Sequence, residues 1–200
     1  MQRWLRVLFA LTIAATAPGA LADCLAQSSP GTTPSLTLAA LPAAQRADPV
    51  TLGALQRRIL GADPQQDYYL YVPRHGGQGA PLFVTVHGVS RDAQEQSTLF
   101  APYAERYGAV MLAPCYSSER YPDYQRLSRI GRGPRSDEAL DRMVAEVAQL
   151  TGARTDKLYL FGYSGGAQFV HHYTLAHPER VARVVIGAAG WYTLPDLELH

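Results

Sequence analysis

The run Leu158-Tyr159-Leu160-Phe161-Gly162-Tyr163-Ser164-Gly165-Gly166-Ala167 constrains this chain more than any other. It reads as a buried strand, then Gly-x-Ser-x-Gly, then a helix opening on Ala167-Gln168-Phe169-Val170. A serine at so sharp a strand-to-helix turn is held in a strained backbone conformation, with its hydroxyl projecting from the sheet. Gly162 and Gly166 let strand and helix approach where a side chain would block the turn. The N-terminus of the following helix sets its partial positive charge behind Ser164, where the oxyanion of a tetrahedral intermediate would develop. With 17 Gly in 200 residues, a chance match to the bare pattern is expected on the order of 0.1 times. The spacing therefore predicts a nucleophilic serine rather than an ordinary glycine turn.

The surrounding chain alternates strand-like and helical runs. Strands are predicted at 68–72, stopped by Pro73, and at 82–86, 109–113, 157–161 and 181–186, each a largely apolar run. Helical spacing predicts a helix over 93–107 with Leu99, Tyr103 and Tyr107 on one face. A second helix is predicted over 136–150, capped by Ser136, with Leu140, Val144 and Val147 inward and Thr151-Gly152 at its end. A third covers 165–176, and a short helix is expected over 52–60, ended by Gly61. Apolar strands alternating with helices imply a mainly parallel sheet covered on both faces.

His87-Gly88-Val89 closes the strand at 82–86. Together with the Ser164 turn it resembles the α/β-hydrolase superfamily. The runs Tyr69-Leu70-Tyr71-Val72-Pro73, Pro81-Leu82-Phe83-Val84-Thr85-Val86-His87-Gly88 and His177-Pro178-Glu179-Arg180-Val181 resemble its secreted polyhydroxybutyrate-depolymerase and feruloyl-esterase-like branch. The resemblance covers residues 65–192. It implies a three-layer α/β-hydrolase fold with a mainly parallel sheet, truncated after about the sixth strand. It implies Ser164 as nucleophile, the backbone amides of Val89 and Gly165 as oxyanion hole, and a structural role for His87. Two positions depart from that branch, which often carries Cys after His-Gly and Ala after the nucleophile, where Val89 and Gly165 stand here.

The same resemblance implies a triad acid and then a histidine, in that order, after the serine. One strand pattern follows the 165–176 helix, so both groups are expected beyond His200. Asp196 is a possible acid just past that strand, and His200 has no strand to hold it. His171 and His172, on the 165–176 helix, read as solvated or core histidines. A pocket is expected around Tyr163, Trp191 and Tyr192. The loop at 115–135 carries Tyr116, Tyr121 and Tyr124 with Arg120, Arg126, Arg129, Arg132 and Arg135. It reads either as a subsite for an anionic or aromatic group or as a solvated loop whose arginines cover tyrosine faces.

Composition narrows the partners. A net charge of +1 gives no reason to expect nucleic acid, and no metal-ligand or cofactor motif competes with the serine. Residues 1–22 read as a signal peptide: Arg3 and Arg6, an apolar run over 7–17, and Ala20-Leu21-Ala22 before the cleavage point. The mature chain is then expected to be secreted or periplasmic with no transmembrane span, or lipid-anchored through Cys24 as a lesser alternative. Export makes a Cys24–Cys115 disulfide possible. Residues 23–64 are Ala-, Pro- and Ser-rich and read as a lead-in, leaving 65–200 as a partial hydrolase domain. The expectation is a secreted serine hydrolase that cleaves small-molecule or polymeric carboxylic esters through an acyl-enzyme on Ser164. The alternatives are a serine peptidase of the same superfamily and a truncated, non-catalytic hydrolase-like binding protein.

Overall fold

Side chains alternate along the central strands, and that alternation sorts the molecule into three layers. The computed structural model describes residues 49–127 and 132–193. Its strands are β1 (Leu55–Leu60), β2 (Asp63–Tyr71), β3 (Pro81–Val86), β4 (Val110–Pro114), β5 (Arg154–Tyr163) and β6 (Val181–Gly187). Its α-helices are α1 (Ala93–Tyr107), α2 (Ser136–Thr151) and α3 (Gly165–Ala176). The strands form one sheet in the order β1-β2-β4-β3-β5-β6. β4, β3, β5 and β6 run parallel, and β1 and β2 join antiparallel at one edge.

Leu82, Val84, Val86, Val110, Leu112, Leu158 and Leu160 point to one face, where Leu140, Met143 and Val144 of α2 and Phe169 and Val170 of α3 complete the larger core. The in-between residues, such as Tyr71 and Met111, point to the other face and meet Phe100 and Ala104 of α1. β3 and β4 are near-continuous, mostly buried apolar runs, as expected for strands covered on both faces, while β5 and β6 keep exposed positions.

Several local expectations are corrected. The helix expected over 52–60 is the strand β1. Its burial alternates, with Arg58 and Leu60 inward and Arg57 and Ile59 outward, and every residue from Leu55 to Ile59 is registered against β2. Pairing with a distant strand has overridden a weak local helical preference. The sheet therefore takes in residues that composition placed in the lead-in. In α1 the stripe Leu99, Tyr103 and Tyr107 faces solvent, at 63%, 52% and 70% exposure. The inward stripe is Ala93, Ser97 and Ala104, whose small side chains let the helix lie close to the sheet. Ser136 does not cap α2: Arg135 holds that position, and the buried Ser136 hydroxyl donates to the carbonyls of Tyr124 and Leu127. The end of α2 is as expected, with Gly152 left-handed at φ 70° and its N–H on the Ala148 carbonyl.

The signal segment, Cys24, Arg129, Asp196 and His200 lie outside the described residues. Cys115 is buried beside Tyr69, Ala93 and Ala113. Among the described residues no helix is long and apolar enough to cross a membrane.

Candidate active site

β5 ends at Tyr163 and α3 begins at Gly165, so Ser164 alone makes the turn. Its backbone sits at φ 54°, ψ −116°, a conformation that costs a side-chain-bearing residue about 1–3 kcal/mol. Two bonds hold it there. The Ser164 N–H donates to the Gly187 carbonyl at 2.9 Å, and the Ser164 carbonyl accepts from Gln168 N–H at 3.2 Å. The flanking glycines are required by sterics. A Cβ at Gly162 would stand 2.1 Å from the Gly166 carbonyl oxygen, and one at Gly166 would stand 2.0 Å from the Val86 oxygen. Both obstacles are backbone and have no rotamer into which to retreat.

β3 delivers the second element. His87, just past its end, is 1% exposed. Its Nδ1 lies 2.9 Å from the Gly88 carbonyl oxygen, and its Nε2 accepts from Tyr116 N–H at 3.1 Å. Those two partners fix one tautomer: neutral, with the proton on Nδ1. Burial pushes its pKa down to about 4, with the nearby Arg91 cation adding to the effect and the Gly88 carbonyl opposing it. The Gly88 carbonyl is also held by Arg91 N–H at 3.0 Å. A trans peptide whose carbonyl is pinned has its N–H turned the opposite way, so these bonds fix the direction of Val89 N–H.

The two loops meet at the serine. A Cβ built on Gly88 would be 3.5 Å from Ser164 Cβ, and one on Gly165 would be 3.4 Å from Val89 N. The structure thus brings Ser164, Gly165 and Val89 together, with α3 beginning immediately behind them. Such a site presents a hydroxyl on a strained turn with two main-chain amides beside it.

No family model and no curated relative matches the chain. Solved structures do. A poly(aspartic acid) hydrolase-1 from Sphingomonas sp. KT-1 shares 28% identity over 68% of this chain and 55% of its own, with a TM-score of 0.59. A poly(3-hydroxybutyrate) depolymerase from Bordetella parapertussis shares 26% identity over 74% of this chain and 56% of its own, with a TM-score of 0.60. The chain is related to the α/β-hydrolase superfamily. An acetyl xylan esterase from Aspergillus awamori, 24% identical over 70% of this chain and 55% of its own, has the same fold at a TM-score of 0.56. The chain spans about half the length of these structures.

An α/β-hydrolase serine needs an imidazole to take its proton. Four of the described histidines are held elsewhere. His87 is bonded as above. His171 and His172 lie against Thr193, and His172 also against the Gln125 carbonyl. His177 Nε2 is 3.0 Å from Asp137, whose carboxylate also binds Arg135. Among the described residues no imidazole or carboxylate hydrogen-bonds Ser164 Oγ.

The pocket expectations divide. Tyr163 is 56% exposed at the turn. Trp191 is covered by the Arg126 guanidinium, 4.3 Å from its ring, and lies 5.1 Å from the His172 ring. The arginine-rich loop is largely neutralised: Arg120 pairs with Asp63, Arg132 with Asp123 and Arg135 with Asp137. Arg120 also lies over the Tyr121 ring, but Tyr116, Tyr121 and Tyr124 are buried in the main core rather than carried on a solvated loop. Sequence reasoning missed Arg91, and it read Tyr116 and Tyr124 as loop tyrosines where the structure buries them beside the His87 ring. Arg91, at φ 62°, donates to the carbonyls of Tyr116, Tyr121 and Pro122. It thereby ties the 87–91 loop to the loop after β4.

Proposed function

We propose that this chain carries the nucleophile and oxyanion hole of a serine hydrolase acting on carboxylic esters. The observation that carries the reading is Ser164 at φ 54° on the turn into α3, with the amides of Gly165 and Val89 at its side. Ser164 Oγ attacks the ester carbonyl carbon as its proton passes to a general base. The carbonyl oxygen becomes an oxyanion that accepts from Val89 and Gly165 N–H. The intermediate then expels the alcohol and leaves an acyl-Ser164, which water hydrolyses to the free acid. The base and its supporting carboxylate are assigned to chain outside the described residues, with Asp196 as the candidate acid. The names of the solved structures at 28% and 26% identity, a hydrolase and a depolymerase, support hydrolysis of a polymer or its fragments. Residues 1–22 fit a signal peptide, which suits a secreted or periplasmic enzyme meeting such a substrate outside the cytoplasm.

An activated ester gives the test. The intact protein should release one equivalent of alcohol in a burst, and Ser164→Ala should abolish it. A burst of the same size in Ser164→Ala would reject Ser164 as the nucleophile.

A further inference from the structure

Gly165 is a glycine whose backbone does not need to be one. It is the first residue of α3 and has no positive φ, so the local backbone would accept alanine, the better helix former. Gly162 and Gly166 face backbone, but Gly165 faces side chains. A Cβ on Gly165 would stand 2.6 Å from Tyr124 Oη and 2.9 Å from Val89 Cγ1. Val89 is 66% exposed and can turn away. Tyr124 is 1% exposed and cannot. Its ring is stacked on Tyr116 with centroids 5.4 Å apart and lies 5.1 Å from the His87 ring. The Arg91 guanidinium covers it at 5.0 Å, and its carbonyl is held by Ser136 Oγ.

The Tyr124 hydroxyl has one hydrogen-bond acceptor, the His87 carbonyl, at 2.9 Å. The next carbonyl, that of Gly88, is held by the His87 ring and by Arg91 N–H. Two successive peptides leading to Val89 are therefore pinned by their oxygens, the first of them by Tyr124. We propose that Tyr124 and Gly165 are a matched pair: the tyrosine hydroxyl fills the space that a side chain at 165 would take, and from there it positions the Val89 amide relative to the Gly165 amide. Tyr124 is thus a positioning residue. It touches neither the nucleophile nor the reacting atoms, and it acts through the 87–89 backbone. The packing half of the proposal stands on the geometry, and the catalytic half rests on the hydrolase reading above.

The test is a cycle of four intact proteins: wild type, Tyr124→Phe, Gly165→Ala and the double variant. Each is measured for its thermal unfolding midpoint and for phosphonylation of Ser164 by a fluorophosphonate, resolved into maximal rate and half-saturating concentration. Loss of one oxyanion donor typically costs a hundredfold or more, so mispositioning one by Tyr124→Phe should lower the maximal rate by about three- to tenfold with the half-saturating concentration unchanged. Gly165→Ala alone should lower the midpoint and cut the maximal rate by about tenfold or more. In the Tyr124→Phe background, where the hydroxyl is gone, Gly165→Ala should cost little by either measure. Equal costs of Gly165→Ala in both backgrounds would overturn the pairing. A Tyr124→Phe protein with a lowered midpoint and an unchanged rate would overturn the positioning role. If wild type is not phosphonylated at all, the hydrolase reading and the positioning role fall together, and the midpoints alone decide whether the two residues are paired.

Discussion

His87 loses its acceptor when it takes a proton, because the lone pair on Nε2 is the one that receives Tyr116 N–H. Its folded pKa of about 4 lies below the ordinary 6.5, so between those values the unfolded chain binds the proton more tightly than the folded one. Stability from this residue is complete above about pH 6.5, falls as the pH drops through that window, and levels off below about pH 4, for a total of about 3 kcal/mol. Denaturant unfolding at a series of pH values should show this slope in wild type and a flatter one in His87→Asn. Identical slopes would mean that His87 is not the group responsible. The structural carboxylates act in an adjoining range. Asp63 is held below its usual pKa by its Arg120 bond. In Asp137 burial raises the pKa, but the bonds to Arg135 and His177 outweigh it and the net direction is down. Their stabilisation is present above their ordinary value of 3.8 and is lost as the pH falls through their lowered folded values. Acid should therefore loosen the 87–89 loop before it breaks the ion pairs.

At the scale of elements, the ends of α1 show how local signals act. Asp92 accepts Glu95 N–H at 2.7 Å, and Gly108 closes the helix at φ 63° with its N–H on the Ala104 and Glu105 carbonyls. Asp92→Ala should lower the unfolding free energy by about 1 kcal/mol, with Asp92→Asn close to wild type, in an equilibrium denaturant titration. The helix expected over 93–107 from its spacing has those bounds, and the Ser164 turn was legible because its reasons lie within five consecutive residues. β1 was not, since what makes it a strand is its register against β2. The outward turn of Leu99, Tyr103 and Tyr107 was not legible either. Periodicity identifies an apolar stripe, but only packing shows that the sheet accepts Ala93, Ser97 and Ala104 instead. Tyr124 reaches the His87 carbonyl from 37 positions away. No spacing rule connects the two, and the reason for glycine at 165 stays hidden until they are seen together.

The two faces of the sheet are unequally covered. α2 and α3 bury one face, and the Phe83, Phe161 and Val185 face carries α1 alone among the described helices. α1 reaches as far as Phe161, whose ring lies 4.7 Å from that of Phe100. Beyond it Val185, registered against Phe161, is 57% exposed, and Tyr159 is 42% exposed. Between α1 and the sheet runs an apolar groove of about 510 Å³, lined by Phe83, Phe100, Tyr103, Tyr107 and Tyr159 among others. None of its lining residues belongs to the Ser164 turn or the 87–89 loop, so this apolar recess is not the place of the proposed chemistry. An open patch of this kind should bind a hydrophobic fluorescent dye. Replacing Tyr159 and Val185 with Thr should reduce that binding severalfold while lowering the unfolding free energy by about 1–2 kcal/mol, because Val185 is mostly exposed and Tyr159 is 42% exposed. Phosphonylation of Ser164 should be unaffected, since the patch and the serine are built from different residues. Dye binding that survives both substitutions would place the accessible apolar surface elsewhere, and a slowed reaction at Ser164 would show that this face of the sheet communicates with the turn through β5.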